Sequence, residues 1–296
     1  MIIVITGPTG VGKTKLSVEL AKKYDAEIVN GDSVQIYKDL NIGSAKVTEE
    51  EKEGIVHHMF DIKKVTEEYS LFDYQKDARQ VIDEIISRGK NVIIVGGTGL
   101  YIKSALFQYE LSDEEENNQY EDKTTEELYQ ELINLDKDIQ IDKHNRRRIV
   151  RALNYYKTNH KSISLNNKGN KLIYNNVTFI GLTVNNRTIL YERINKRVDK
   201  MIAMGLINEV KSFYDKGINA RILNSAIGYK ELYSYFKGNI SYEESVELIK
   251  RNSRRYAKRQ YTFFNHQFNI KWFNVDFDDF NKTVTEVANY IDMKKE

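Results

Sequence analysis

Short apolar runs alternate with amphipathic stretches along the first half of the chain. The first run ends at a glycine-rich turn, and the stretch after it carries apolar side chains at helical spacing. Strands are predicted at 2–6, 26–29, 91–95 and 177–182, and helices at 13–24, 70–86 and 100–107. Alternating strands and helices favour parallel βαβ units, so the pattern predicts an α/β fold whose parallel sheet carries helices on both faces.

The remainder of the chain has a mainly helical pattern. One long helix is predicted from 188 to 214, ending near Gly217, and another from 246 to 264. A strand-like run at 270–275 precedes a last amphipathic helix at 280–291. We therefore expect a helical C-terminal portion after the sheet.

The distribution of charge sets one segment apart. The chain has 45 Lys and Arg against 43 Asp and Glu, a net charge of +2, which neither requires nor excludes a nucleic-acid partner. Residues 110–138, however, contain twelve acids and two lysines, a composition that does not suit a buried sheet. The sequence predicts an inserted, partly helical arm at 109–141 between two parts of one core, 1–108 and 142–296.

Composition excludes several kinds of site. The chain has no cysteine, which removes disulfides, thiolate zinc sites and cysteine nucleophiles. No apolar run approaches the roughly 18 residues of a membrane helix, and the N-terminus has neither a basic leader nor a cleavage site. A soluble cytoplasmic protein is expected. The adjacent His57 and His58 lack further candidate ligands nearby and are interpreted as structural.

A phosphate-binding loop lies between the first predicted strand and helix. The segment GPTGVGKT at 7–14 fits the pattern G-x-x-x-x-G-K-[ST]. Its glycines let consecutive backbone N–H groups converge on phosphate oxygens, and the helix N-terminus adds partial positive charge. Lys13 supplies a point charge and Thr14 can ligate Mg²⁺. The loop predicts a ligand with a diphosphate or triphosphate group, without specifying ATP.

The strand at 91–95 ends in Gly96, Gly97 and Thr98. In many ATP-hydrolysing proteins with this loop, a corresponding strand ends in an acid that helps to hold Mg²⁺. Here Mg²⁺ would rest on Thr14, phosphate and water, so ordinary ATP hydrolysis is disfavoured. The glycine pair permits close approach by a ligand, but a plain strand-to-helix turn is an equally good interpretation.

Asp32 follows the second strand directly. The carboxyl ends of parallel strands open onto a common crevice, so Asp32 is expected to face the phosphate loop. Its carboxylate can bind a hydroxyl or amine or accept a proton from it, while Ser33 and Gln35 can hydrogen-bond a base edge. The alternative is that Asp32 and Ser33 only cap the next turn.

Two basic stretches suggest a polyanionic partner. One holds Arg146, Arg147, Arg148 and Arg151, and the other lies on the helix predicted at 246–264. At 3.6 residues per turn this helix gathers six bases on one side: Lys250, Arg251, Arg254, Arg255, Lys258 and Arg259. A helix with one packed and one basic face matches the footprint of phosphate-backbone binding, although basic faces are often merely solvated.

Seven motifs then occur in a recognisable order. They are GPTGVGKT at 7–14, DSVQIY at 32–37 leading to IGSAK at 42–46, His57-His58, GGTGLY at 96–101, RRIVRAL at 147–153, IGYKE at 227–231 and RRYAKRQ at 254–260. This set closely resembles the bacterial tRNA dimethylallyltransferases, also called isopentenyl-tRNA transferases, of the IPP transferase family. The resemblance covers nearly the whole chain and implies a P-loop NTPase-like core.

The family resemblance implies transfer of a dimethylallyl group. The group would pass from dimethylallyl diphosphate to N6 of the adenosine 3′-adjacent to the anticodon, position 37, of certain tRNAs. The reaction would release diphosphate with Mg²⁺, and a monomer is expected. Asp32 matches the aspartate that takes the N6 proton, and Thr98 the threonine near the leaving oxygen. Arg193 matches an arginine associated with the diphosphate, with Arg197 as a close competitor.

The resemblance also implies two sets of binding residues. Diphosphate would be bound by Thr9, Gly10, Val11, Gly12, Lys13, Thr14 and Arg193, with Thr14 also on the metal. The tRNA would be bound by Asp32, Ser33, Val34, Gln35, Thr98, Arg147, Arg148, Ile149, Val150, Arg151, Arg254, Arg255, Lys258 and Arg259. Its target base would be extruded to reach the site, and the acidic insert would cover the anticodon region as a mobile arm.

Two local departures from the family pattern affect tRNA contacts rather than chemistry. Asp142-Lys143 stands where His-Pro is usual, and Phe263 where Trp is usual. Two other functions remain open on the residues alone. A small-molecule or nucleoside kinase would use the same loop and Asp32 but leave the basic stretches unused. A P-loop RNA-binding factor without catalysis would make Asp32 dispensable.

Overall fold

The computed structural model describes residues 1–108, 120–163 and 171–294. The chain forms two compact units, one made of residues 1–105 and 175–296 and the other of residues 106–174. The strands are β1 (Ile2–Thr6), β2 (Ala26–Asn30), β3 (His57–His58), β4 (Asn91–Val95), β5 (Val177–Thr183) and β6 (Lys271–Asn274).

The helices among these residues begin and end close to most of the predicted positions. They are α1 (Lys13–Tyr24), α2 (Glu49–Lys52), α3 (Leu71–Ser87), α4 (Gly99–Leu106), α5 (Thr125–Leu135), α6 (Arg146–Asn159), α7 (Arg187–Ala203), α8 (Leu206–Asp215), α9 (Arg221–Ser225), α10 (Tyr229–Phe236), α11 (Tyr242–Gln267) and α12 (Phe280–Met293). In the part of the chain covered by the structure, no helix is both long and apolar enough to cross a membrane.

The first unit is built on a six-stranded sheet in the order β3-β2-β4-β1-β5-β6, in which every pairing is parallel. Strands β1 and β2 are buried along their whole length, as expected for a parallel sheet between helices. Ile3 and Ile5 of β1 pack with Leu16 of α1 and Val287 of α12 in one core cluster. The predicted α/β fold with a parallel sheet and a helical C-terminal portion is confirmed.

The prediction of one long helix from 188 to 214 is wrong, because this stretch forms two helices. α7 ends at Ala203 and α8 begins at Leu206. Between them Gly205 has φ of 99°, a left-handed conformation that glycine adopts without the steric cost of a Cβ. The glycine inside the apolar periodicity was the available signal for this break.

The second unit contains the paired helices α5 and α6. Leu128 and Leu132 of α5 pack against Ile149 and Leu153 of α6 in a small core. This unit is longer than the predicted arm and includes α6, which the sequence pattern assigned to the core. Residues 109–119 of the predicted arm lie outside the described residues, and the role of the arm over an anticodon stays a prediction.

Candidate active site

Three loops meet at the carboxyl end of the sheet. Because the strand order is β2-β4-β1, the loop after β4 lies between the loop that carries Asp32 and the phosphate loop. The Asp32 loop and the phosphate loop line one cavity of about 470 Å³, together with Gly96 and Gly97 after β4. The structure therefore brings Asp32 to the phosphate loop, across β4.

Lys13 is the first residue of α1, and its side chain reaches back across the phosphate loop. Its Nζ donates hydrogen bonds to the carbonyl oxygens of Gly7 at 3.0 Å and Pro8 at 2.8 Å. Burial, and secondarily the positive charge of Arg197, lowers the pKa of Lys13 to about 7, while the charge of Asp32 acts in the opposite direction. An anion entering the loop would stabilise the charged ammonium.

The remaining residues of the phosphate loop differ in what they offer a ligand. Gly12 is the N-cap of α1 and no side chain caps that helix, so its N-terminal N–H groups face the cavity without a side-chain acceptor. The Val11 side chain is fully buried, which leaves only its backbone for phosphate. The Thr9 N–H already donates to Oε1 of Gln260 at 3.2 Å. Gly10 and Thr14 line the cavity, and their contacts with diphosphate stay a prediction.

Asp32 both caps a turn and faces the cavity. Its Oδ1 accepts a hydrogen bond from Val34 N at 2.9 Å, an arrangement typical of an Asx turn. Asp32 lines the cavity, and within the described residues its Oδ2 has no hydrogen-bond partner. The two interpretations of Asp32 are therefore compatible, since one oxygen serves the turn and the other is available to a substrate.

Thr98 contacts the Asp32 loop rather than the cavity wall. Its Oγ1 accepts a hydrogen bond from Ser33 N at 3.1 Å and lies 3.3 Å from Ser33 Oγ. These contacts hold the segment that follows Asp32. The expectation that Thr98 sits near a leaving oxygen stays a prediction.

Gln35 presents a hydrogen-bond acceptor to the cavity. Its Nε2 donates to the carbonyl oxygens of Ser44 at 3.1 Å and Ala45 at 3.2 Å. Because both partners are acceptors, the amide nitrogen must face them, and Oε1 remains for a ligand. Ser33 and Val34 line the same cavity.

The two candidate arginines of α7 have different surroundings. Arg193 is exposed, donates from Nε to the Gly10 carbonyl oxygen at 3.2 Å and stacks 3.6 Å from the Phe277 ring centroid. Arg197, one turn later, lines the cavity. Burial lowers the pKa of Arg197, and the charge of Asp32 partly offsets this effect. The geometry thus favours Arg197 over Arg193 as a contact for an anion in the cavity.

One wall of the cavity is apolar. It contrasts with the charged part of the lining and could accommodate a small hydrocarbon group. Its side chains come from the loops before α2, after β3 and between α9 and α10, and from helices α7, α9 and α11: Val47, Phe60, Val198, Met201, Ile222, Ile227 and Ile249.

The oxygen donors on the cavity suit a hard cation such as Mg²⁺. Magnesium usually keeps water ligands and binds through one or two protein oxygens together with substrate phosphates. Thr14 offers a hydroxyl beside the phosphate loop. Among residues 1–108, 120–163 and 171–294, no group of three or more His, Cys, Asp or Glu side chains could hold a metal. His58 agrees with its structural interpretation, since its Nε2 bonds Glu27 at 2.6 Å. His57 instead lines the cavity, and among the described residues its buried Nε2 has no hydrogen-bond partner, so its structural interpretation stays a prediction.

The chain is similar along almost its whole length to a set of known proteins. Residues 35–267 match the model of the IPP transferase family. The chain is 46% identical to the tRNA dimethylallyltransferase of Anoxybacillus flavithermus, over 99% of this chain and 96% of that protein. The chain belongs to the IPP transferase family.

Solved structures similar to this IPP transferase have the same fold. A full-length tRNA isopentenylpyrophosphate transferase from Bacillus halodurans is 41% identical, with a TM-score of 0.77 over 99% of this chain and 96% of that one. A eukaryotic dimethylallyltransferase acting on tRNA is 28% identical, with a TM-score of 0.86 over 97% of this chain and 77% of that one. The family resemblance and the P-loop type of core are confirmed.

The basic face of α11 in this IPP transferase divides into two parts. Lys250 pairs with Asp199 of α7 at 2.8 Å, and Arg254 donates to Asn195 of α7 at 2.6 Å, so both attach α11 to α7. The outer part is solvent-exposed and consists of Arg251, Arg255, Lys258 and Arg259. Arg259 also reaches the cavity. The outer part is the candidate surface for an RNA backbone.

The arginine-rich motif at the start of α6 contains both exposed and buried side chains. Arg147, Arg148 and Arg151 are exposed, whereas the Ile149 side chain is fully buried in the core of the second unit. Val150 packs partly against the same core. Arg146 is half-buried and donates to the carbonyl oxygens of Lys123 and Tyr120, so the three exposed arginines are the better placed to reach a polyanion.

We expect Arg255→Ala with Lys258→Ala to weaken tRNA binding and to flatten its salt dependence. Each phosphate that a side chain no longer neutralises lowers the slope of log K against log salt by about 0.7 to 0.9, so the double variant should lose about 1.4 to 1.8. Fluorescence anisotropy with labelled tRNA at several salt concentrations measures this slope.

A control for the double variant must remove the same net charge elsewhere. Lys211→Ala with Lys282→Ala does so at two exposed lysines on α8 and α12. We expect the slope of this control to match that of the wild type. Equal slopes in both double variants would mean that the outer face of α11 is ordinary solvated surface.

Several residues of the site could not be predicted from the sequence. Gln260 was part of a motif but was not assigned to the site, and the apolar wall was not identified at all. The signal for Gln260 was an uncharged amide within a basic helix. The apolar wall gave no such signal, because its members are ordinary core residues in pattern and come together only through the fold.

Proposed function

We propose that this protein transfers a dimethylallyl group from dimethylallyl diphosphate to N6 of the adenosine at position 37 of certain tRNAs. The observation that carries the proposal is the shared cavity, in which Asp32 faces Lys13 and Arg197. A carboxylate suits deprotonation of an acceptor, and the two cations suit a diphosphate leaving group. The names of the relatives agree with this function.

The phosphate loop would bind the diphosphate of the prenyl donor. As the bond between the allylic carbon and the diphosphate oxygen breaks, negative charge grows on the departing group. Lys13, Arg197 and the N–H groups at the start of α1 stabilise that charge. Thr14 would hold Mg²⁺ together with the diphosphate oxygens, and the ion supplies further positive charge to the leaving group.

Asp32 would act on the acceptor side. The N6 nitrogen forms its bond to the allylic carbon, the diphosphate leaves with the electron pair of the broken bond, and Oδ2 of Asp32 takes the N6 proton. Gln35 Oε1 accepts a hydrogen bond from the adenine edge, and the apolar wall shelters the hydrocarbon group. Because a stacked base cannot enter the cavity, the adenosine is extruded from its stem-loop.

The outer face of α11 and the arginines of α6 would hold the anticodon stem-loop. These residues are Arg254, Arg255, Lys258 and Arg259 in the first unit and Arg147, Arg148 and Arg151 in the second, with Arg254 contributing less because Asn195 engages it. The acidic segment would act as the arm over the anticodon region. We further propose a cytoplasmic monomer.

The test is a product analysis with competing donors. Purified protein and unmodified tRNA are incubated with Mg²⁺ and either dimethylallyl diphosphate or ATP, and the nucleosides are examined by mass spectrometry. Prenylated adenosine is expected with the first donor and no phosphorylated nucleoside with the second. A phosphorylated product without prenyl adenosine would overturn the proposal in favour of a kinase.

Diphosphate binding is expected to take up a proton. Lys13 has a pKa of about 7 in the free protein, and a bound anion raises it. Above about pH 7 binding therefore protonates Lys13, so affinity falls as the pH rises from there. Calorimetry with inorganic diphosphate in two buffers of different ionisation enthalpy measures the uptake. Lys13→Arg, which cannot titrate here, should show less uptake, and equal uptake would refute the assignment.

A further inference from the structure

The buried Gln260 side chain joins two loops of the site. Gln260 lies on α11 and is 5% exposed. Its Oε1 accepts a hydrogen bond from Thr9 N in the phosphate loop at 3.2 Å, and its Nε2 donates one to the Gly97 carbonyl oxygen at 3.0 Å. We propose that Gln260 is a positioning residue that sets the separation between the diphosphate-binding loop and the loop after β4.

The two loops need such a connection because backbone pairing stops at the end of the sheet. The last hydrogen bond between the ends of β1 and β4 runs from Gly96 N to the Ile5 carbonyl oxygen at 3.3 Å. Beyond it each loop turns toward the cavity. The amide of Gln260, on helix α11, continues the connection beyond that point.

The chemistry of the two loop atoms selects an amide. Thr9 offers a donor and Gly97 an acceptor, and a glutamine side chain supplies one acceptor and one donor to match. A carboxylate has only acceptors and would repel the Gly97 oxygen. Gly97 must also lack a side chain, because a Cβ there would overlap Gln260 Nε2.

The hydrogen-bonded connection extends from the side of the site that would bind the diphosphate to the side that carries Asp32. Thr98 N donates to the Gly31 carbonyl oxygen at 3.0 Å, and Gly31 N donates to the Val95 carbonyl oxygen at 2.8 Å. The loop after β4 is thus bonded to the segment that carries Asp32. Through Gln260 the phosphate loop joins the same network beyond the end of the sheet, so this amide helps to set the distance from the leaving group to Asp32.

The inference rests on the proposed prenyl transfer, in which the diphosphate-binding loop and Asp32 must be held at a fixed separation. Misplacement of reacting groups by about 1 Å can cost about 10²-fold in rate. A residue that only stabilises the fold would instead lower the melting temperature without changing kinetic constants measured well below it. Kinetics and thermal stability therefore separate the two roles.

The first comparison is Gln260→Ala against Gln267→Ala. Gln267 lies on the same helix and accepts a hydrogen bond from Lys103 Nζ at 2.7 Å, away from the cavity. We expect Gln260→Ala to lower kcat at least about tenfold and to weaken binding of inorganic diphosphate several-fold, with tRNA affinity within about twofold of the wild type. Gln267→Ala should leave all three values within about twofold.

The second comparison uses pH. In Gln260→Glu the ionised carboxylate cannot donate to Gly97, but the protonated acid carries one donor and one acceptor, as the amide does. Activity of this variant relative to the wild type should therefore rise as the pH is lowered. A structural role alone predicts no such relative recovery.

The outcomes distinguish this inference from the proposed function. If the wild type forms no prenyl adenosine, the proposed function fails, and diphosphate binding still tests Gln260. If the wild type prenylates tRNA but folded Gln260→Ala matches Gln267→Ala in kcat and in diphosphate affinity, the positioning role is overturned. A Gln260→Glu profile parallel to that of the wild type would overturn it as well.

Discussion

Asp32→Asn is expected to lower the single-turnover rate of prenyl transfer by about 10²- to 10⁴-fold, the range typical for loss of a general base. Asparagine keeps the oxygen that accepts from Val34 N at 2.9 Å, so the turn after β2 survives. What it loses is the ability of the second oxygen to take a proton. Affinity for tRNA should change little, because no phosphate contact is removed.

Asp32→Ala provides the contrast. Alanine removes both the proton acceptor and the cap of the turn, so some displacement of Ser33 and Gln35 is expected in addition. Rapid-quench measurement with saturating tRNA and dimethylallyl diphosphate compares both variants with the wild type. An unchanged rate in Asp32→Asn would exclude Asp32 as the base and would leave it a role in the turn alone.

Arg197→Ala is expected to lower kcat/KM for dimethylallyl diphosphate by about 10²- to 10³-fold, as does removal of one donor that stabilises charge in a transition state. The matched comparison is Arg193→Ala, one turn earlier on α7. Arg193 does not line the cavity itself but contacts the Gly10 carbonyl oxygen and the Phe277 ring, so its removal should cost only a few-fold. Steady-state kinetics on both variants decide between the two arginines, and the reverse order would restore Arg193 as the diphosphate contact.

Removal of Arg197 has a second expected effect on its neighbour. The charge of Arg197 is one of the causes that lower the pKa of Lys13. Without it the Lys13 pKa should move upward, so less proton uptake should accompany diphosphate binding near pH 7.5. Calorimetry in paired buffers would show the difference, and undiminished uptake would argue against electrostatic contact between the two side chains.

The elements that could be predicted from sequence are those whose signals are local. α1 begins at Lys13 and ends at Tyr24 as the pattern indicated, because the glycine-rich turn and the apolar spacing both lie within the segment. The start of α3 was equally clear, since Ser70 and Asp73 form a capping box. The phosphate loop belongs to the same class of local signal.

The features that could not be predicted depend on contacts between distant residues. Arg193 and Arg197 share one helix face and one residue type, and only the position of Phe277 and the cavity distinguishes them. Ile149 belongs to a motif rich in arginine, yet its side chain is buried because α5 packs on α6. Likewise, Gln260 is 251 residues from Thr9, so no local pattern could indicate their hydrogen bond.

The antiparallel bridge between Phe107 and Leu172 has a consequence for how this family can vary. The bridge brings together the two ends of the segment that forms the second unit. Lengthening such a closed segment costs only loop-closure entropy, about 0.6 kcal/mol for each doubling of a flexible loop. Insertions and deletions there need not displace β4 or β5. The length of this segment can therefore change without moving the strands that carry the site.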